Sequence, residues 1–182
     1  MKFAITGHTS GIGKAIVELC QTKGYQWMGF SRGTGYDIEK AEDCGRIVNE
    51  SYDCDVFINN AYHEYVQVDL LYIVWVRWKN QRKQIVCISS VAGDIRYHAA
   101  TPYSVHKAAL DHACEQLQSA STIALKSASE ECKVINIKPG YVDTPWHTGN
   151  NSINKLDPHH LANTILWCVE QPVNIQTIRI SA

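Results

Sequence analysis

The sequence predicts an α/β fold: a doubly wound parallel sheet of about six or seven strands with helices on both faces. Three observations carry this. Short β-type runs alternate with helix-type stretches along the whole chain, the pattern of strand–crossover–strand units. The intervening stretches are long enough for helices and repeat apolar residues at three- and four-residue spacing. The first run also passes through a cluster of glycines directly into a helix-type stretch. Each crossover is then right-handed, and the informative edge of the sheet is the carboxyl edge, where ligands bind at the point of strand-order reversal.

Lys2–Thr6 is the first strand. It runs into Thr6-Gly7-His8-Thr9-Ser10-Gly11-Ile12-Gly13 and a helix over 12–23. Glycine lets backbone approach a pyrophosphate closely, and a helix amino terminus offers unpaired N–H groups to it; read alone, the same cluster also makes a tight turn. His8, inside this turn, is a candidate phosphate contact. Tyr25–Phe30 is the second strand and ends in Ser31-Arg32. An NAD site places a carboxylate roughly twenty residues beyond the glycines, against the ribose 2′-hydroxyl, and none stands here. Arg32 suits a 2′-phosphate instead, which favours NADP(H) over NAD(H); an arginine in a solvated loop is the plain alternative. A helix follows over 38–50.

Asp55–Asn59 is the third strand and closes on Asn59-Asn60-Ala61. The helix expected over 64–79 contains Leu70–Trp78, apolar nearly all around, and a helix of that kind is buried on more than one side. Ile85–Ser89 is the fourth strand and ends in hydroxyls, Ser89 and Ser90. Thirteen residues beyond Ser90 stands Tyr103, with Lys107 at i+4; Thr101 as cap and Pro102 at the first helical position start a helix over 102–126 that puts both side chains on one face. A phenol near pKa 10 is a poor base at neutral pH; an adjacent ammonium favours its phenolate and makes it a usable general acid/base. Lys133–Ile137, a helix over 158–170 and Ile175–Ile180 complete the series. Between them the segment 143–157 is loop-rich, and a loop of that length is more often functional than idle. Trp146 and His147 at its head are candidate substrate contacts.

Composition narrows the function classes. The 182 residues correspond to one domain over 1–182, at roughly 150 residues per domain. With 45% apolar and 19% charged residues, against about 25% charged on average, disorder is excluded. The longest apolar run, Leu70 to Val76, falls far short of the about 18 residues a membrane span requires. The start shows no secretory signal, so a cytoplasmic protein is expected. Seven cysteines, with no Cys-x-x-Cys, read as reduced and mostly buried thiols rather than a disulfide framework or metal centre. The histidines show no metal-ligand spacing. A net charge of -1 without a basic stripe argues against nucleic acid.

Taken in order, Thr-Gly-x-x-x-Gly-Ile-Gly at 6–13, Asn-Asn-Ala at 59–61, Ser90, Tyr-x-x-x-Lys at 103–107 and Pro139-Gly140-Tyr141-Val142-Asp143-Thr144 resemble the short-chain dehydrogenase/reductase family. The resemblance implies a Rossmann-type fold and hydride exchange between NADP(H) and a small carbonyl or alcohol. Matched by position, Tyr103 passes the proton, Ser90 holds the substrate oxygen, and Lys107 holds the nicotinamide ribose and depresses the phenol pKa. Gly7, Ser10, Gly11, Ile12 and Gly13 cradle the pyrophosphate; Asn59 and Ala61 lie beside the cofactor; Asp37 sits near the adenine; Pro139, Gly140, Val142 and Thr144 line the nicotinamide end. The family's helix pairing across subunits implies a homodimer or higher oligomer, with a helix wedged inside its own protomer as the alternative.

The chain also departs from the family. Only Gly33 to Tyr36 separate Arg32 from Asp37, so the usual helix after the second strand is missing and the third strand of the family is reduced or absent. Tyr62 stands where Gly follows Asn-Asn-Ala. The Asn that family members often add to Ser, Tyr and Lys is not evident, and Asp69 falls where it might sit; an Asp donates no hydrogen bond unless protonated. These departures support a second reading, a catalytically weak or inactive NADP(H)-binding regulatory or scaffold protein.

Overall fold

The computed structural model describes residues 1–94, 101–124, 132–147 and 154–182. Its core follows from strands that are apolar on both faces. Phe3 and Ile5 point to one side of the first strand and Ala4 to the other. Val56 and Ile58 against Phe57, Val86 and Ile88 against Ile85 and Cys87, and Ile135 and Ile137 against Val134 repeat the alternation, and all are buried. A strand with two apolar faces must be covered twice, and that demand sets the layers.

In chain order the elements are β1 Lys2–Thr6, α1 Gly11–Thr22, β2 Gln26–Phe30, α2 Ala41–Glu50, β3 Val56–Asn59, α3 Val66–Trp78, β4 Gln84–Ile88, α4 Pro102–Ala124, β5 Lys133–Pro139, α5 Pro158–Glu170 and β6 Thr177–Ile180. The six strands form one parallel sheet in the order β2-β1-β3-β4-β5-β6. Side chains of α1 and α5 close the core on one face, and those of α2, α3 and α4 on the other. The expected doubly wound, Rossmann-type sheet is therefore present, with six strands. Because β1 lies between β2 and β3, the strand order reverses at its carboxyl end, which is where a crevice opens in such sheets.

Differences from the expected boundaries have local causes. The second helix starts at Ala41 rather than 38 because Asp37 makes a turn of its own: its carboxylate accepts the Glu39 N–H and its carbonyl accepts the Lys40 N–H. Between β2 and α2 the chain makes only a short 3-10 turn over Arg32–Thr34, closed by reciprocal Ser31 and Thr34 contacts. No strand pairs outside β2 among the described residues, so the reduction expected there leaves β2 as the sheet edge. In α3 one face is buried through Gln67, Leu70, Leu71, Val74 and Trp78, while Ile73 and Val76 are exposed. All seven cysteines are free and buried.

A charge network buried at Asp111 and Lys138 and reaching the surface at Arg179 fixes the helix that carries Tyr103 and Lys107. Asp111 of α4 accepts a hydrogen bond from Asn136 of β5 at 2.8 Å and pairs with Lys138 at 2.8 Å; Lys138 also pairs with Asp94 at 2.5 Å, which meets Arg179 of β6 at 2.9 Å. Gly93 permits the close fit, since a Cβ there would lie 2.5 Å from the Asp111 carboxylate. Removing the shared cation leaves a buried carboxylate uncompensated, which costs about 3–5 kcal/mol. Lys138→Met is therefore expected to lower the unfolding free energy by about that amount in urea melts; a loss within the usual surface range of about ±0.5 kcal/mol would show that the network does not anchor α4.

Candidate active site

The glycine turn is built from backbone constraints. Gly7 and Gly11 adopt positive φ (69° and 52°), and a Cβ on Gly13 would stand 2.2 Å from the Gly7 carbonyl oxygen, so neither turn nor helix start tolerates side chains there. The turn is fastened to the end of β3. The Thr6 hydroxyl donates to the Ile58 carbonyl and accepts from the N–H groups of Asn60 and Ala61 at 2.9 and 3.0 Å, while the Asn60 amide donates to the Thr6 carbonyl at 2.9 Å. The amino terminus of α1 then faces a cleft of about 610 Å³ lined by Gly7, Ser10, Gly11 and Ile12 at one end. That volume lies within the range of about 300–1,000 Å³ usual for ligand sites.

Ser90, Tyr103 and Lys107 line the other end of the same cleft. Ser90 caps the 3-10 turn after β4, its hydroxyl accepting the Ala92 N–H at 3.1 Å, and it hydrogen-bonds the Tyr103 side chain. Tyr103 and Lys107 share a face of α4, with the Lys107 ammonium 5.5 Å from the Tyr103 ring centroid. Lys107 is only 3% exposed. Its ammonium donates to the Gln67 side-chain carbonyl at 2.6 Å and to the Ile88 backbone carbonyl at 2.8 Å.

The electrostatics differ from the expected ones. Burial pulls the Lys107 ammonium down to about 7, against the opposing pull of Cys87, Asp111 and Cys114. Burial also pushes the Tyr103 phenol up, and the Ser90 hydrogen bond offsets only part of that rise. The lysine was expected to depress the phenol pKa. It does not dominate here because burial of the phenol outweighs it and burial of the lysine disfavours its own charged form. The phenol is thus held protonated at neutral pH, the form that donates a proton to a carbonyl oxygen.

Tyr62 gives the site an aromatic wall. Its ring meets Tyr103 edge-on at 5.0 Å and Trp146 at 6.1 Å, lies 5.1 Å from the Lys107 ammonium, and its hydroxyl bonds His106 Nδ1 at 2.8 Å. Tyr62 keeps a negative φ, and among the described non-glycine residues the positive φ falls two residues later, on Glu64 (φ 40°). The local turn is altered while Asn60 and Ala61 keep their places beside Thr6.

Of the other expected contacts, Ala61, Pro139, Gly140, Val142 and Thr144 line the cleft. Arg32 is exposed at the end of β2, outside that lining. Asp37 takes part in its own turn and accepts the Glu39 N–H. Asn59 is fully buried and donates to the Gln67 carbonyl at 2.7 Å. Gly13 is buried behind Gly7. Asp69 is exposed on α3, two positions from the residue that does reach the lysine. The His8 ring packs against Gly29 and lies 5.9 Å from Trp27, so it covers β2 rather than the cleft. Trp146 lines the cleft and is 71% exposed; the side chain of His147 lies outside the described residues. Sequence reasoning missed Gln67, although a lone amide at i on the apolar face 67, 70, 71, 74, 78 is a legible anomaly.

Residues 68–154 match the family model described as short chain dehydrogenase. The matched segment contains Ser90, Tyr103, Lys107 and residues 139–144, and the glycine turn precedes it. Among curated proteins none matches the chain in sequence. Among solved structures, a 3-alpha-hydroxysteroid dehydrogenase from Pseudomonas sp. B-0831 complexed with NADH aligns with TM-score 0.82 and 16% identity over 100% of this chain and 95% of that one. A short chain dehydrogenase from Burkholderia cenocepacia J2315 in complex with NADP aligns with TM-score 0.83 and 17% identity over 100% and 88%. An alcohol dehydrogenase from the archaeon Thermococcus sibiricus complexed with 5-hydroxy-NADP gives 0.74 and 18% over 99% and 96%. At these identities the likeness is one of fold.

The buried lysine makes stability depend on pH. With the folded pKa near 7 against 10.5 for the free group, the unfolded chain binds more protons across that window, so stability rises with pH through it. The difference in unfolding free energy between wild type and Lys107→Met is expected to shift in favour of wild type from pH 7 to 10, by about 1.4 kcal/mol per pH unit at most. A difference independent of pH in parallel denaturant melts would show that Lys107 is not desolvated.

Proposed function

We propose that this chain, a member of the short chain dehydrogenase family through its segment 68–154, is an NADP(H)-dependent oxidoreductase that interconverts a small carbonyl and the corresponding alcohol. One observation carries the reading: Ser90, Tyr103 and Lys107 converge on one end of a cleft whose other end is a glycine-lined helix amino terminus. Gly7, Gly11 and Gly13 make a cradle that a Cβ would fill, which fits a pyrophosphate. When bound there, the nicotinamide cofactor supplies or accepts the hydride. Ser90 holds the substrate oxygen, Tyr103 gives its phenolic proton to that oxygen on reduction, and Lys107 presents positive charge beneath the phenol. Pro139, Gly140, Val142 and Thr144 bound the reacting end, while Asn59 acts from behind through Gln67.

The preference for NADP(H) rests on Arg32. It is exposed immediately beyond β2, and no carboxylate occupies the end of that strand; Asp37 supports the adjoining turn. The two relatives bound to NADP or a derivative and the one bound to NADH are consistent with a nicotinamide cofactor. A homodimer through α3 is part of the proposal, since Ile73 and Val76 remain 44% and 59% exposed. Sedimentation at micromolar concentration is expected to give at least twice the chain mass, and the chain mass alone would remove that part. No helix among the described residues is long and apolar enough to cross a membrane.

A second reading, a cofactor-binding protein of little or no turnover, is favoured by the packing of the Tyr62 ring against Tyr103 and Lys107. Purified protein assayed with NADPH and a panel of aldehydes, ketones and quinones decides between the two. The oxidoreductase reading expects turnover that falls at least about 100-fold, the scale of general acid/base catalysis, in Tyr103→Phe. NADPH binding with no turnover above that variant supports the second reading. Arg32→Ala is expected to weaken NADPH about 10-fold, through a lost charge-assisted contact, while leaving NADH nearly unchanged; equal effects on both cofactors would contradict the 2′-phosphate assignment.

A further inference from the structure

We infer that Gln67 is a positioning residue that supports the protonated form of Lys107 and aims the amine at the cleft from α3. The inference rests on the arrangement of one buried amide. Gln67 is 2% exposed. Its Nε2 donates to the Asn59 carbonyl at 2.9 Å and to the Ile88 carbonyl at 3.2 Å, and its Oε1 accepts the Lys107 ammonium at 2.6 Å. This pattern fixes the amide orientation: turned over, the amide would set its oxygen against two carbonyls and its NH2 against an ammonium. The Asn59 side chain donates to the Gln67 backbone carbonyl at 2.7 Å and fastens the start of α3 to the end of β3. Gln67 is therefore a rigid acceptor that cannot swing away from the lysine.

An ammonium has three donors. Gln67 and the Ile88 carbonyl take two, and Lys107 lines the cleft, so the third is left for a group entering there. The groups facing Lys107 are Tyr103, Asp111 and Cys114 on α4, Cys87 on β4 and the Tyr62 ring beyond β3; Asp111 is itself paired with Lys138 of β5. From α3 the lysine receives only the Gln67 amide. Exchanging that amide therefore changes one contact of the lysine and leaves every other charge in place. An acceptor favours the protonated amine, an apolar side chain removes that support, and a carboxylate strengthens it.

The consequence for proton transfer rests on the proposed oxidoreductase activity, but the test does not use it. Protein carrying lysine labelled with 13C at the ε-carbon is titrated by NMR without cofactor, and the Lys107 resonance is assigned with Lys107→Met. The midpoint is expected to fall in Gln67→Met, which keeps the length of the side chain, and to rise by at least about one pH unit in Gln67→Glu, as for an opposite charge at contact distance. Circular dichroism and a cooperative melt establish which variants are folded, and the direction seen in either one decides alone. An unchanged midpoint in a folded variant, or a shift opposite to the one stated, overturns the inference. Failure of NADPH turnover with these shifts present would overturn the oxidoreductase reading and leave the role of Gln67 intact.

Discussion

A charged amine buried at the end of a parallel sheet is the constraint around which this protein is arranged. Desolvating an ammonium is costly unless its donors are met, and Lys107 meets two of them with the Ile88 carbonyl at the end of β4 and the Gln67 amide on α3. That requirement explains why α3 carries a glutamine on its apolar face, why Asn59 is sealed behind it, and why α4 is tied down by Asp111 and Lys138. The same amine lies close to the rings of Tyr103 and Tyr62, so the fold sets a titratable amine beside the phenol that lines the cleft.

The site gains its form from removed chain as well as from retained residues. With no strand outside β2 among the described residues, β2 passes to α2 through ten residues held by Ser31, Thr34 and Asp37. Arg32 to Gly35 of that passage are exposed. Tyr62 and Trp146 add aromatic walls to the cleft that Ser90 and Tyr103 also line.

Much of this was legible before any coordinates. The glycine turn, the hydroxyls after β4 and the i, i+4 pair on α4 are local features, set by turn conformation and helix periodicity, and each lies where the spacing predicts. The start of α2 was misplaced because the side chain of Asp37 competes with the helix for backbone partners, a contest that apolar spacing does not record. Asp69 is the residue that spacing offers near Lys107, and Gln67 is missed because which of α3's polar residues turns inward depends on the rotation of α3 about its axis. Packing of Leu70, Leu71, Val74 and Trp78 sets that rotation. The pKa of Tyr103 went the other way from the expected one because burial is a tertiary property, whereas the charge of Lys107 is visible in the letters alone.

The account stands on hydride exchange at the end of the cleft where Ser90, Tyr103 and Lys107 meet. Incubating the protein with NADPH dideuterated at C4 of the nicotinamide and a small aldehyde, then locating the isotope by mass spectrometry and NMR, addresses that directly. Deuterium is expected on the carbinol carbon of the alcohol product, on one prochiral face only, as a fixed cleft demands. Alcohol that carries no deuterium, or none formed while the cofactor stays bound, would contradict it.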